Sequence, residues 1–586
     1  MRRLAPLLLL FSSTLLAQSG VWGARGVSHT FLVRGNSVFD IDGRGVALYD
    51  VANFTRVAVA NSDAESLDGA FAANGDLLVL TRAGIDRYDA QLARLSHTDG
   101  TGFEHLRAND KYVVTAGPND VAVLNGSPLH FASHINAIAL NGDALYVALE
   151  QTGIAVVDLT GANDTTILPE NAKDLAVAGD KLVIAGGVDG LLVADIADPF
   201  APRIVRREGA GVTNVARVAA AGTKIFAGES PSTIRVYDDS GQIAQISDPV
   251  QTLAADGTRL FVSGTNFDRF GLATETGAPL RAYDVAGAPR LIGEIRDLAG
   301  PVSGAATDGT FAYVVDRPFF RVIDVSTTSA PREVATLSID DIEDHVKLHG
   351  QQVILYGRGD VDLIDVSDPY RPRLAGVFHS FGRPPSNAAF ARDTIVEGNP
   401  WSGFHVVDFA DFVPPAQIGG VKGHYYEIVA GGGDVAYISG EGVSIVAVDL
   451  RDPRNPTFTK VIQVGVKQAF LAGGDLVVRS VDGLHVYSLA DPFNPVETAF
   501  MAMAEPDVAG PADGAAALVW SGGTLLRADL AARAIAPSGL IVLAPMQIDS
   551  AGGKTVVADR YALRVFGPNT APPPPPPAAR RRAARP

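Results

Sequence analysis

Short apolar runs alternate with glycine-containing turns along nearly the whole chain. The segments that begin at Leu182, Val353 and Leu476 each consist of an apolar strand, a turn with glycine and a second apolar strand. The apolar runs are continuous rather than strictly alternating, as is typical of strands that are buried on both faces. The amphipathic helices of a helical solenoid are not seen. The pattern therefore predicts an all-β protein.

The apolar pairs recur with the period of a four-stranded β-propeller blade. The residues that end the second strand of each pair are Asp50, Asp89, Asn125, Asp158, Asp195, Asp238, Asp284, Asp324, Asp365, Asp408, Asp449, Ser488, Asp529 and Gly567. Their mean spacing is about 40 residues, inside the range of propeller blades. Because one propeller typically closes with about 4–8 blades, the count predicts two tandem propellers of about seven blades each, over residues 29–299 and 300–567. Six plus eight blades is the alternative partition.

The start of the chain has the parts of a secretory signal. Basic Arg2 and Arg3 precede an apolar stretch over residues 7–16 and the small Ala17. We expect residues 1–17 to be a signal peptide, with an uncleaved anchor as the alternative, since the apolar stretch is about half of a bilayer span. No later segment is long and apolar enough to span a membrane. The predicted location is secreted, periplasmic or at the cell surface.

Two further segments lie outside the predicted propellers. Residues 18–28 are expected to be a linker, and residues 568–586 a disordered tail rich in proline and arginine. The tail either touches an anionic envelope surface or is an extension without a partner.

Composition limits the function classes. Of the 586 residues, 47% are hydrophobic and 19% are charged, which is ordinary for a folded protein. The formal net charge of −17 makes nucleic acid an unexpected partner, because such binding depends on lysine and arginine. Cysteine is absent, which excludes disulfides, thiolate metal sites and cysteine nucleophiles.

A second motif follows several of the repeat strands. Asp198-Pro199-Phe-Ala-Pro202 stands after Asp195, and similar Asp-Pro segments follow Asp365, Asp449 and Ser488. An aspartate caps such a turn and proline presets φ near −65°, so the motif ends one strand and opens the next. Its repetition indicates a structural role.

The strands Phe320-Arg-Val-Ile-Asp324 and Phe404-His-Val-Val-Asp408 resemble the LVIVD repeat. The resemblance is strongest in the blades of Asp195, Asp324, Asp365, Asp449 and Ser488. The resemblance implies a β-propeller fold and an exported or surface location, as in the bacterial and archaeal proteins of this family. It implies no particular reaction.

Candidate chemistry lies in the loops that lead from the outer strand of one blade to the inner strand of the next. Such loops line the funnel at one end of a propeller channel. In the second ring they contribute the tentative ligand-binding residues Asp344, His345, His379, Arg383, His424 and Glu427. In the first ring the same loop class contains Glu104, His105, His134, Asn136, Asp174 and Asn214. Imidazole with carboxylates suits a divalent metal, but no ligand spacing supports one, so the metal is unknown.

The leading functional hypothesis is a non-catalytic binding or scaffold protein at or outside the cell envelope. Its partner is expected to be a protein or glycan of the envelope, without a cofactor, and no residue is assigned a catalytic role. One alternative is a propeller hydrolase or lyase that uses His345, His379 or His424 as acid–base groups. Another is a cell-surface adhesion protein.

Overall fold

Strands make up the regular structure of the computed structural model. It describes residues 18–22 and 28–568, apart from gaps at residues 63, 125–127, 162–164, 212, 230–231, 268–272, 278, 296–301, 317–318, 340–342, 358–360, 379–386, 400–402, 409–415, 423–424, 441–443, 505, 513–514, 541, 543 and 561. The described residues contain no helix of the length and apolar character that a membrane crossing needs.

The chain divides into two compact units. The first unit is Gly23–Pro301, and the second unit combines Met1–Trp22 with Val302–Pro586. The predicted signal peptide and the tail beyond residue 568 lie outside the described residues.

The strands of the first unit fall into seven groups, which we number as its blades. They are β2 Ser28–Arg34, β3 Ser37–Asp42, β4 Gly45–Asp50 and β5 Thr55–Asn61; β6 Ser66–Phe71, β7 Leu77–Thr81, β8 Gly84–Tyr88 and β9 Arg94–Asp99; β10 His105–Ala108, β11 Val113–Ala116, β12 Asp120–Val123 and β13 Leu129–His130; β14 Ile135–Asn141, β15 Ala144–Leu149, β16 Gly153–Asp158 and β17 Thr165–Leu168; β18 Asp174–Ala178, β19 Lys181–Ala185, β20 Leu191–Asp195 and β21 Arg203–Glu208; β22 Val215–Ala221, β23 Lys224–Glu229, β24 Thr233–Asp238 and β25 Gly241–Ser247; and β26 Thr252–Asp256, β27 Arg259–Ser263, β30 Leu280–Asp284 and β31 Arg290–Ile295. The seventh blade carries an inserted pair of strands, β28 Thr265–Phe267 and β29 Ala273–Gly277.

The strands of the second unit are grouped in the same way. They are β32 Gly304–Thr307, β33 Phe311–Val315, β34 Phe319–Asp324 and β35 Arg332–Ser338; β36 Glu343–His349, β37 Gln352–Gly357, β38 Val361–Asp365 and β39 Arg373–Phe378; β40 Asn387–Ala391, β41 Thr394–Asn399, β42 Gly403–Asp408 and β43 Ala416–Val421; β44 Tyr425–Gly432, β45 Val435–Gly440, β46 Ser444–Asp449 and β47 Thr457–Gln463; β48 Gln468–Ala472, β49 Asp475–Arg479, β50 Gly483–Ser488 and β51 Val496–Ala502; β52 Val508–Ala512, β53 Ala516–Ser521, β54 Thr524–Asp529 and β55 Ala534–Pro537; and β56 Pro545–Ala551, β57 Lys554–Asp559, β58 Ala562–Phe566 and β1 Gln18–Trp22.

Each blade is an antiparallel sheet of four strands, and the described residues form fourteen of them. The predicted all-β propeller fold is therefore confirmed. Within the first unit the opening strands of consecutive blades contact one another, and β2 of the first blade contacts β26 of the seventh. Within the second unit the same cycle runs from β32 to β56 and back to β32. The opening strand is thus the innermost strand of each blade.

The last blade of the second unit takes its outer strand from the start of the chain. Strand β1 pairs antiparallel with β58, with Val21 opposite Arg564 and Trp22 opposite Leu563. The expectation that residues 18–28 form only a linker is therefore wrong for residues 18–22. The physical reason is that the chain after β58 offers no fourth strand to this blade among the described residues, and β1 satisfies the backbone edge of β58.

The first unit closes without a shared strand. The hydroxyl of Thr252 in β26 donates to the carbonyl oxygen of Ser28 in β2 at 2.8 Å. Phe54, in the turn of the first blade, lies against Gly293 of the seventh, where a Cβ would come within 2.2 Å of the phenyl ring. Side-chain packing across the seam, including Phe31 and Phe261, forms one continuous cluster.

The glycines at the start of the third strands have a steric role. Gly190 adopts a φ of +80°, and a Cβ there would lie 2.1 Å from the carbonyl oxygen of Glu208 on the outer strand. A side chain would therefore separate the two outer strands of the blade.

The core consists of layers between neighbouring blades. Val193 of β20 and Ile364 of β38, each in the third strand of its blade, are almost completely buried. Between the fourth and fifth blades of the first unit, Tyr146, Leu182 and Ile196 belong to one apolar cluster. The continuous apolar runs thus follow from burial on both faces of each blade.

Candidate functional site in the channel of the first unit

Three of the six candidate loop residues of the first unit lie on the innermost strands. His105 opens β10, Asn136 lies in β14 and Asp174 opens β18, while Glu104, His134 and Asn214 lie outside strands. The prediction that His105, Asn136 and Asp174 are loop residues is therefore wrong, because the innermost strands begin earlier than the apolar pattern suggests.

Asp68 of β6 is the most extensively bonded carboxylate of this region. It accepts hydrogen bonds from the backbone nitrogens of Gly69 at 2.8 Å and Leu106 at 2.9 Å, and from Nη1 of Arg107 at 2.7 Å. The second of these bonds crosses from the second blade to the third. Asp68 therefore fixes the relative position of the two innermost strands.

Asp174 of β18 repeats this arrangement three blades later. It accepts from the backbone nitrogens of Leu175 at 2.9 Å and Val218 at 3.1 Å, so it joins the fifth blade to the sixth. Burial raises the pKa of Asp174, although the guanidinium groups of Arg217 and Arg107 and the two backbone bonds oppose the shift.

Two arginines and one histidine complete the first-unit channel cluster, which we define as Asp68, His105, Arg107, Asp174 and Arg217. Burial lowers the pKa of Arg107, but Asp68 and Asp174 raise it by more, so this guanidinium keeps its charge. Burial lowers the pKa of His105, which favours a neutral imidazole near pH 7. Arg217 is exposed and donates from Nε to the carbonyl oxygen of Gln251 at 2.9 Å. The cluster offers fixed positive and negative groups with no net charge.

Sequence reasoning missed Asp68, Arg107 and Arg217. They lie inside strands, at positions where the pattern predicts apolar side chains. The sequence signal that could have identified them is a charged residue within an innermost strand, such as Arg107 in the strand His-Leu-Arg-Ala.

The predicted site of the second unit is described only in part. His345 lies in β36, where its ring centroid is 5.2 Å from that of Tyr356. Asp344 and Glu427 lie in β36 and β44, but their side chains are not among those described. His379, Arg383 and His424 lie outside the described residues. The convergence of these six residues stays a prediction.

Lys347 and Asp549 form a second polar feature of this channel. Lys347 lies two residues after His345, with its ammonium nitrogen 5.5 Å from the Tyr356 ring centroid. Burial lowers the pKa of Lys347 to about 7, partly opposed by Asp549, and burial raises the pKa of Asp549 to about 6. The amide of Gln547 fixes β36 from across the channel, since it both donates to and accepts from the backbone of Val346.

Lys554 has a structural role in the second unit. Lys554, in the Gly-Gly-Lys-Thr segment, is buried and donates to the carbonyl oxygens of Val325 and Ser326 on the first blade. It therefore joins the seventh and first blades of the second unit. Among the described residues, no group of three or more histidine and carboxylate side chains is placed to hold a metal ion.

Two segments of the chain match a known repeat family. The LVIVD repeat model matches residues 169–207 and 299–338. The matches cover the fifth blade of the first unit and the first blade of the second, so the resemblance predicted from the strands ending at Asp195 and Asp324 is confirmed.

The solved structures include a similar protein of comparable length. The chain aligns with PorZ of Porphyromonas gingivalis with a TM-score of 0.64 and 11% identity, over 94% of this chain and 86% of that chain. PorZ is described as an essential bacterial surface component of the type-IX secretion system. At this identity the likeness concerns the fold alone. No curated protein matches the sequence.

Proposed function

We propose that the chain is an exported β-propeller protein that acts as a non-catalytic binding or scaffold protein at or outside the cell envelope. It comprises two seven-bladed propellers, over residues 29–299 and 300–567, with β1 added to the second. The seven blades and the closed cycle of strand contacts in each unit support this partition.

The observation that carries the binding role is the bonding of the first-unit channel cluster. Asp68 and Asp174 each accept hydrogen bonds from two backbone N–H groups, and Arg107 is tied to Asp68. Such groups present a rigid polar surface whose charges are fixed before a partner arrives. The partner is a protein or glycan of the envelope, and its polar groups contact the exposed Arg217.

The export signal and the likeness to a surface protein support the proposed location. The signal is the predicted segment over residues 1–17, and the surface protein is PorZ. The test is protease treatment of intact cells that produce the tagged full chain, beside a variant without residues 1–17. We expect cleavage of the full chain only. A full chain that remains in the cytoplasm like the variant contradicts export.

The binding role is tested by quantitative cross-linking in the envelope fraction. We expect Arg217→Ala to reduce the cross-linked partner, because it removes the exposed guanidinium of the channel. Arg207→Ala is the matched control, since Arg207 is an exposed arginine on the outer strand β21, paired with Glu170. Equal loss in both variants, or loss in neither, contradicts the channel as the binding surface.

A second candidate function is the hydrolase or lyase in the second unit. The observation that favours it is that Lys347 and His345 both lie against the ring of Tyr356, while burial moves the pKa of Lys347 to about 7 and that of Asp549 to about 6. General acid–base catalysis needs such pKa values near the working pH. The enzyme hypothesis is tested by measuring turnover of panels of hydrolase and lyase substrates by the wild type and by Lys347→Met. Equal turnover by the two proteins rejects this hypothesis.

A further inference from the structure

Strand β1 begins directly after the predicted signal segment. The predicted segment covers residues 1–17, and β1 covers Gln18–Trp22. β1 is the outer strand of the last blade in the second unit, where Val21 pairs with Arg564 and Trp22 with Leu563. The blade therefore needs the chain from Gln18 onward.

The position of β1 limits where an export peptidase can cut without damage to the blade. Such a peptidase cuts after a small residue that follows the apolar stretch. The small residues of this region are Ala17, Ser19, Gly20, Gly23 and Ala24. Cleavage after Ser19 or Gly20 cuts β1, and cleavage after Gly23 or Ala24 removes it, which leaves the edge of β58 unpaired. Cleavage after Ala17 keeps β1 complete.

The same position argues against an uncleaved anchor. The apolar stretch over residues 7–16 is about 15 Å long as a helix, whereas the hydrocarbon core of a bilayer is about 30 Å thick and each headgroup layer adds about 5–8 Å. Ala17 alone separates this stretch from β1, and one extended residue spans only about 3.5 Å. An uncleaved anchor would therefore place Gln18 among the lipid headgroups, together with its pairing partner Phe566.

Cleavage after Ala17 makes Gln18 the N-terminal residue, and an N-terminal glutamine can close on itself. The α-amine nitrogen attacks Cδ of its own side-chain amide, and the product is a five-membered lactam, pyroglutamate. A bond forms between the α-nitrogen and Cδ, the bond between Cδ and Nε2 breaks, and Nε2 leaves as ammonia with a proton from the amine. The reaction needs no co-reactant and removes the terminal charge.

A lactam is compatible with the place of Gln18 in the blade. Gln18 is the first residue of an edge strand, opposite Phe566. The ring resembles that of proline, which is accepted in edge strands and at the first residue of a strand. Unlike proline, pyroglutamate keeps an N–H beside its carbonyl group, so both groups remain available for pairing with β58. The side chain of Phe566 is fully buried, and a neutral terminus avoids the cost of a charge near such apolar groups.

We propose that the exported chain is cut between Ala17 and Gln18 and that Gln18 then becomes pyroglutamate. In the first step, water hydrolyses the peptide bond between these two residues. In the second step, Gln18 loses ammonia. The proposal rests on the proposed export of the chain, and it goes beyond export because it assigns one cleavage position and one modified residue.

The test is mass spectrometry of the full chain, produced with a C-terminal tag and purified from the envelope fraction. We expect an N-terminal peptide that begins at residue 18 and lacks the mass of one ammonia, and we expect no reaction of this terminus with an amine reagent. Gln18→Glu is the matched control. Its chain is cut at the same bond, but a carboxyl group closes the ring far more slowly than an amide, so the free amine remains.

The other outcomes contradict different steps. A chain that keeps residues 1–17 in the cytoplasm contradicts the proposed export, and the processing with it. A chain that keeps them in the envelope, or that begins at Val21 or Arg25, is exported but overturns the cleavage position. A Gln18 terminus that reacts with the amine reagent as fully as the Gln18→Glu variant overturns the modification.

Discussion

The hydroxyl of Tyr437 donates a hydrogen bond of 2.8 Å to the carbonyl oxygen of Pro492 on the next blade. Tyr146 makes the same bond to Pro199, also at 2.8 Å, in the first unit. Burial raises the pKa of Tyr146 to about 12, so its hydroxyl remains a donor throughout the neutral range. The Asp-Pro motif therefore joins blades as well as turning the chain.

The bond between Tyr437 and Pro492 is expected to stabilise the second unit. Tyr437→Phe removes the donor and leaves a carbonyl unpaired, so the free energy of unfolding falls by about 1 kcal/mol. Denaturant unfolding measures the change. Pro492→Ala keeps the acceptor carbonyl and is the control, and a larger loss in this control than in Tyr437→Phe contradicts the role of the hydrogen bond.

Arg107 is expected to be needed for the charge balance of the first-unit channel. Arg107→Met leaves the buried carboxylate of Asp68 without its cation, and we expect a loss of about 3 kcal/mol at pH 7. Arg207→Met, which breaks an exposed pair with Glu170, is the control and costs less than about 1 kcal/mol. Equal losses in the two variants exclude this account.

Strand β1 is expected to protect the last blade of the second unit. A variant without residues 1–22 leaves β58 as an unpaired edge, so the amides of Ala562–Phe566 exchange faster than in a variant without residues 1–17. Hydrogen exchange with mass spectrometry measures the difference. The segment Arg290–Ile295 of the first unit serves as the internal reference. Identical exchange of β58 in both variants argues against the strand pairing.

Lys347 is expected to make stability depend on pH. Burial lowers its pKa from 10.5 to about 7, so between these pH values the unfolded chain binds more protons than the folded chain. The free energy of unfolding therefore rises with pH across this window. Lys347→Met removes the dependence, so the variant gains most over wild type near pH 7 and least near pH 10.

Melting temperatures at pH 7, 8.5 and 10 test this dependence. Lys111→Met is the control, because hydrogen bonding and charge pairing with Asp143 raise the pKa of Lys111 and the substitution brings no gain. Parallel pH profiles for wild type and Lys347→Met contradict the account.

The sequence predicted the repeat more accurately than the site. The apolar pairs ending at residues such as Asp195 and Asp365 gave the strands and their period, since burial on both faces requires continuous apolar runs. The candidate loops were located less well. His105, Asp174 and His345 lie on innermost strands, because pairing with the second strand extends each of them by a few residues beyond its apolar segment.

The amino-acid sequence by itself determined the all-β class, the blade period and the Asp-Pro turns, because these depend on burial and backbone preferences within about 40 residues. Only the tertiary structure decided that residues 18–22 complete the last blade and that Asp68, Arg107, Asp174 and Arg217 share one channel. Each of these depends on contacts between residues far apart in the chain. The positions of the blades create such contacts, and local sequence patterns do not encode them.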